Sequence, residues 1–207
     1  MKKKRCFMAI AVSLVMTISF GSLSAFAAVH NIKDAKWYRQ TASNWCWAAV
    51  SETMIDKETP NFTSNGFANR QARIVYAAHN NTNNTVGTST DMIKAMKSIS
   101  PTAFKNADWN NLTTSSHWKT IMNEILADDV VAIGLFNAKP PEFQTGSLKG
   151  HTTFAYWVDS SADNILLGDP WNSSNFIDVY KNDLMNTGIY CHEFPGVTVY
   201  GGPYVIY

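Results

Sequence analysis

Residues 129–136 read Asp129-Val-Val-Ala-Ile-Gly-Leu-Phe136, and the hydrophobic period of the chain changes there. Val130 to Phe136 is an unbroken apolar run of buried-strand length. Upstream, apolar residues recur at helical spacing. Trp45 to Ile55 (WCWAAVSETMI) is rich in helix formers, lacks Gly and Pro, and has Asn44 or Ser43 available as N-cap. Asp91 to Ile99 puts Met92, Ile93, Met96 and Ile99 on one face, and about His117 to Ala127 does the same with Trp118, Ile121, Met122, Ile125 and Leu126. These stripes read as core positions, and Asn80 to Thr85 (NNTNNT) reads as a polar loop. Downstream, Thr152 to Val158 (TTFAYWV), Ile165 to Leu167, Phe176 to Tyr180 and Val197 to Tyr207 read as strands, with DSSADN as the turn between the first two. Helices first and strands second predict an α+β protein rather than a doubly wound parallel sheet.

The chain has 207 residues, with 17 basic against 16 acidic side chains, 45% hydrophobic residues, 13% aromatics and three cysteines. That length suits one domain or two small lobes sharing a cleft. The balanced charge supplies no electrostatic footprint for nucleic acid. The apolar content is too high for a disordered chain.

The totals mix two different pieces. Lys2-Lys-Lys-Arg5 precedes an apolar run from Cys6 to Phe20, and small residues end in Ala25-Phe26-Ala27. This is the pattern of a secretory signal peptide over residues 1–27. The apolar run is shorter than the ~20 residues a membrane span needs. Cleavage after Ala27 removes four basic residues and no acidic one, leaving residues 28–207 as one mildly acidic domain with 13 basic and 16 acidic side chains. An exported monomer with no membrane attachment is expected. Of the three cysteines only Cys46 and Cys191 remain, and two cysteines in an oxidising compartment suggest a disulfide.

The alternative is that Cys46 is reactive. It falls in the first turn of a predicted helix, in Gln40-Thr-Ala-Ser-Asn-Trp-Cys-Trp-Ala-Ala49. Unpaired N–H groups and the positive end of the helix dipole favour a thiolate there. A thiolate nucleophile needs a general acid. Of His30, His79, His117, His151 and His192, His151 is the best placed, since it follows a glycine at an exposed strand start. His79 falls in a polar loop and His117 at a helix start, where the dipole disfavours imidazolium.

The imidazole needs an orienting partner. Asp159 lies eight residues along the same strand, about 26 Å away at ~3.3 Å per residue, and cannot serve. The return strand brings Gly168-Asp-Pro-Trp-Asn172 back beside His151, with Asp169 favoured over Asn172 because a carboxylate better stabilises an imidazolium. Gln40, six residues before Cys46, is able to join the Cys46 N–H in an oxyanion hole. Two cysteines 145 residues apart and scattered histidines lack zinc spacing, so no metal or other cofactor is expected.

Gln-x5-Cys-Trp-Ala-Ala, then Gly-His, then Asp-Pro-Trp resembles the papain-like cysteine peptidases, and the tail most resembles their bacterial branch that includes the bacteriocin-processing peptidases. The resemblance spans roughly Gln40 to Asn172. It implies a helical lobe and an antiparallel β lobe with a cleft between them, and a peptide or protein as substrate. It also implies Cys46 as nucleophile, His151 as general acid/base, Asp169 as orienter and Gln40 as oxyanion donor, with Trp47, Trp171 and Asn172 bordering the substrate. The sequence departs from the plant and lysosomal signature Cys-Gly-Ser-Cys-Trp, since Asn44-Trp45-Cys46-Trp47 stands in its place. Transglutaminase-like acyl transfer and cell-wall amidase activity use the same residue types. A disulfide-stapled binding module is the non-catalytic alternative.

Overall fold

The change of period at Asp129 marks the passage from the last described helix into the main run of strands in the computed structural model, which describes residues 29–111, 115–136, 150–171, 176–181 and 204–206. Two short strands that the sequence did not reveal precede that passage. A short strand β1 (Val29–Asn31) is followed by helices α1 (Cys46–Glu58), α2 (Arg70–His79) and α3 (Ser89–Ile99). Strand β2 (Trp109–Asn111) and helix α4 (Ser115–Leu126) come next. Then follow β3 (Val131–Phe136), β4 (Gly150–Asp159), β5 (Asn164–Gly168), β6 (Phe176–Tyr180) and β7 (Tyr204–Ile206). The fold is α+β, as expected.

All described strands join one antiparallel sheet in the order β2-β7-β3-β4-β5-β6. Its spine is β4. Along one edge β3 covers Gly150 to Ala155, and β1 takes over from Trp157 to Asp159. Along the other edge β5 runs back from Asn164↔Asp159 to Gly168↔Phe154, with a bulge between Ala155 and Trp157. Gly168 is required at the end of this hairpin, because a Cβ there would lie 2.3 Å from the Phe154 ring.

Helix α1 packs on β3 and β4 and against α2 and α3, so it is buried on nearly every side from Trp47 to Asp56. A helix so enclosed must satisfy its polar side chains internally. Ser51 and Thr53 donate back to the carbonyls of Trp47 and Ala49. Glu52 and Asp56 meet Arg70 of α2 at 2.9 and 2.6 Å. The shared core joins Val50, Met54 and Ile55 of α1 to Trp118, Ile121 and Ile125 of α4 and to Val131, Ile133, Phe154, Val158, Ile165 and Leu167 of the sheet. Each fully buried large aliphatic contributes about 1.5–3 kcal/mol.

Four sequence expectations need correction. Helix α2 lies in a segment assigned no element, and His79 is its last residue rather than part of a polar loop. Asn69 caps that helix by accepting the Ala72 N–H at 2.8 Å. Helix α3 starts two residues early, because Thr88 and Asp91 form a reciprocal capping box. Neither Asn44 nor Ser43 caps α1. Trp45 occupies the N-cap position and makes no side-chain capping bond, while Asn44 and Ser43 are both engaged by Asn84. The expected signal peptide, Cys191 and Asn172 lie outside the described residues. No helix among those residues is long and apolar enough to cross a membrane.

Candidate active site

Three elements converge on one point: the start of α1, the start of β4 and the residues just after β5. Cys46 is the first residue of α1, half-buried, with a free thiol. No side chain at the N-cap position takes the first N–H groups of the helix, and the N–H of Trp47 bonds the Cys46 sulfur. His151 is the second residue of β4 and is 5% exposed. Continuing the β4–β5 register one step beyond Gly168↔Phe154 sets Asp169 opposite Thr153, on the same sheet face as His151 two residues away. The hairpin therefore delivers the pair that the residue order suggested. His151 Nε2 donates to Asp169 Oδ1 at 2.8 Å, with both side chains 4% exposed.

With Nε2 committed to Asp169, Nδ1 is the ring nitrogen left to face the Cys46 sulfur, with which His151 also hydrogen-bonds. Burial works against a charged imidazole here. The bonds to Asp169 and Cys46, and their negative charges, outweigh it and push the His151 pKa up to about 10. Burial likewise opposes the Cys46 thiolate. The His151 hydrogen bond and charge, together with the backbone N–H groups of Thr152 and Trp47, overcome it and hold the thiol below its ordinary value. The two shifts run in the directions that favour a thiolate–imidazolium pair.

Asp169 is itself held on several sides. The oxygen that meets His151 also accepts the Trp171 N–H at 2.9 Å. Its carbonyl accepts the Trp37 indole N–H at 3.1 Å, and Trp37 stands edge-on to Phe154 with ring centroids 5.5 Å apart. One residue on, the Pro170 carbonyl accepts the Gln40 N–H at 2.8 Å. Gln40 is thus docked against the segment that orients the base. Its side-chain Nε2 donates to the carbonyls of Ala42 and Ser43 at 2.9 and 3.0 Å, and its buried Oε1 has no hydrogen-bond partner among the described residues.

Trp47 does not border the substrate as expected. It is 1% exposed, because the next helical position turns its side chain into the protein. Its indole donates to the Thr85 carbonyl at 3.2 Å and meets the His79 ring edge-on. Gly87 lies so close that a Cβ would be 2.4 Å from the Trp47 indole. Trp171 is half-buried beside Asp169.

The asparagine-rich loop has a role that composition did not reveal. Asn83 and Asn84 hold the turn before Cys46: Asn84 Oδ1 accepts the Asn44 N–H at 2.9 Å, and the Asn83 carbonyl accepts the Trp45 indole N–H at 3.2 Å. Two anchors of the site were therefore missed, this loop and Trp37. The only local signal was the density of tryptophan and asparagine.

Elsewhere, a cavity of about 300 Å³ is lined by Met54, Glu58, Phe104, Glu124 and Asp129 among others, and shares no residue with this cluster. Its lining carries three carboxylates, Glu58, Glu124 and Asp129, but no thiol, hydroxyl, amine or imidazole. Among the described residues no group of three His, Cys, Asp or Glu side chains is placed to hold a metal ion.

No protein-family model and no curated protein matches the chain. Among solved structures, the peptidase domain of Streptococcus ComA, a bifunctional ABC transporter of a quorum-sensing pathway, is similar at a TM-score of 0.49 and 14% identity, covering 84% of this chain and 96% of that one. A C39-like peptidase from Bacillus anthracis is similar at 0.49 and 11% identity, covering 87% and 98%. The interpain A cysteine protease of Prevotella intermedia is similar at 0.47 and 13% identity, covering 87% and 73%.

Proposed function

We propose that the protein is an exported thiol peptidase that cleaves peptide bonds through an acyl-enzyme on Cys46. One observation carries this reading: His151 is hydrogen-bonded at Nε2 to a buried carboxylate and on its other side to a thiol at an uncapped helix start. That arrangement sets a nucleophile and a proton donor side by side and favours the charged form of both.

In the proposed reaction the Cys46 sulfur forms a bond to the substrate carbonyl carbon, and the carbonyl π electrons move onto oxygen. The Cys46 N–H and the Gln40 amide stabilise that oxyanion. To do so, Gln40 releases one N–H from the carbonyl of Ala42 or Ser43, an exchange favoured because an anion is the stronger acceptor. The C–N bond then breaks as His151 delivers its proton to the leaving amine. In the second half, His151 takes a proton from water, hydroxide adds to the acyl carbon and the thiolate departs. Asp169 keeps the imidazole oriented and its charge compensated throughout. Export rests on the basic and apolar pattern of residues 1–27.

Incubation with casein, with a glutamine substrate plus an amine, and with purified peptidoglycan tests the reading. Hydrolysis of casein that disappears in Cys46→Ala is expected. Turnover confined to the amine pair or to peptidoglycan would replace the peptidase with a transglutaminase or an amidase.

A further inference from the structure

Gln40 lies between two residues that a single buried side chain grips at once. Gln71, in the first turn of α2 and 2% exposed, accepts the Thr41 N–H on Oε1 at 2.8 Å and the Thr41 hydroxyl at 3.0 Å. Its Nε2 donates to the Arg39 carbonyl and to Glu52 Oε2, both at 2.8 Å. Both N–H bonds and both acceptor sites of the amide are therefore used.

The amide has only one workable orientation. A backbone N–H can only donate, and a carbonyl can only accept, so turning the group over would set oxygen against oxygen at Arg39. Glu52 is fixed in turn by Arg70 Nε at 2.9 Å, and the same guanidinium meets Asp56 at 2.6 Å. The Gln71 side chain thus pairs with the main chain at 39 and 41 much as a neighbouring strand would. The Gln40 N–H points to the Pro170 carbonyl instead. Gln40 is consequently gripped between α2 on one side and the Asp169–Pro170 segment on the other. An apolar residue would fill the volume at position 71. Four directed hydrogen bonds fix a location as well.

We propose that Gln71 is a positioning residue for catalysis, holding the 39–41 main chain so that the Gln40 amide meets the tetrahedral oxyanion. The inference rests on the peptidase reading. Gln71 acts through Gln40 and touches no substrate.

The test compares Gln71→Met, Gln40→Ala and the double variant in the full secreted chain, using a peptide substrate and, separately, alkylation by iodoacetamide. Alkylation needs the thiolate but no oxyanion hole. In Gln71→Met, kcat should fall by about 10- to 100-fold with little change in KM, as expected for a misplaced group near the reacting atoms. The rate and pH dependence of Cys46 alkylation should stay as in the wild type. The double variant should be no slower than Gln40→Ala alone. Activity within twofold of wild type in Gln71→Met, or alkylation falling in parallel with kcat, would overturn the proposal.

Thr41→Val, at an exposed position, removes the hydroxyl bond to Gln71 and the longer 3.5 Å bond it accepts from Asn69 Nδ2, keeps the Thr41 N–H bond, and provides a folded check. It should lower kcat by roughly two- to fivefold, and unchanged activity there would also count against the clamp. A wild type that cleaves no peptide overturns the peptidase reading itself. A wild type that cleaves and is indifferent to Gln71→Met overturns this inference alone.

Discussion

The Gln40 N–H donates to the Pro170 carbonyl at 2.8 Å, across 130 residues of sequence. That one bond joins the segment leading to the nucleophile to the segment that orients the base. Trp37 adds a second tie, from its indole to the Asp169 carbonyl. The helical and sheet parts of the site therefore share one main-chain strip.

Asp169→Asn preserves shape and removes charge. The Asp169 carboxylate is the first of the influences that raise the His151 pKa, so its loss lowers that pKa from about 10. The expected outcome is a fall in kcat of about 100-fold or more, consistent with the usual worth of acid–base catalysis. The alkaline limb of the pH profile should move to lower pH. Rates measured from pH 5 to 11 check both.

The wild-type profile should be bell-shaped. Cys46 is lowered from 9.0, so its thiolate is lost only as pH falls through the depressed value. His151 is raised from 6.5, so its proton is lost as pH rises toward about 10. Activity requires both charged forms and is confined between these limits. Stability follows the same signs. The His151 contribution is complete below 6.5 and drains as pH climbs toward about 10. The Cys46 contribution is complete above 9.0 and drains as pH falls. A rate that rises monotonically to pH 10 would contradict the ion pair.

Gly168→Ala should damage stability and activity together. The added Cβ would lie 2.3 Å from the Phe154 ring, which packs edge-on to Trp37. Overpacking of this kind costs typically about 1–3 kcal/mol, and relief by shifting the hairpin end moves Asp169. Thermal melting and kcat in the same preparation check the coupling. A stable but inactive variant would locate the whole effect at the hairpin end.

Asp128→Asn should loosen the amino-terminal strand without touching catalysis. Asp128 lies just after α4 with φ +76°, a left-handed conformation that asparagine tolerates. It accepts the Lys33 N–H at 2.8 Å, meets Lys57 at 2.6 Å and lies 3.4 Å from His30 of β1. The Lys57 bond, then the Lys33 N–H, hold its pKa at about 2. The latch is therefore intact above the ordinary 3.8 and opens as pH falls through about 2. The variant should show faster proteolysis before residue 36 at neutral pH, with kcat unchanged.

Much of this was readable in the amino-acid order because it depends on local spacing. The period change at Asp129, the polar DSSADN turn and the distance from His151 to Asp169 are hairpin properties. Helix α2 was not legible. Its first turn is polar and its apolar side, Ala72, Ile74, Val75 and Ala78, is weak until α1 and α3 cover it. Trp47 was misassigned because adjacency to Cys46 in sequence is a rotation of about 100° on a helix. The anchoring roles of Trp37, Gln71 and Asn84 rest on contacts between residues 30 to 132 positions apart. No local pattern encodes such contacts.

The central claim is that Cys46 is a free, activated nucleophile. Labelling the unreduced protein with an epoxide thiol-protease inhibitor and locating the adduct by mass spectrometry tests it most directly. The account predicts stoichiometric modification at Cys46, loss of activity in proportion to labelling, and far slower labelling in His151→Ala. An unlabelled Cys46 found in a disulfide with Cys191 would contradict it.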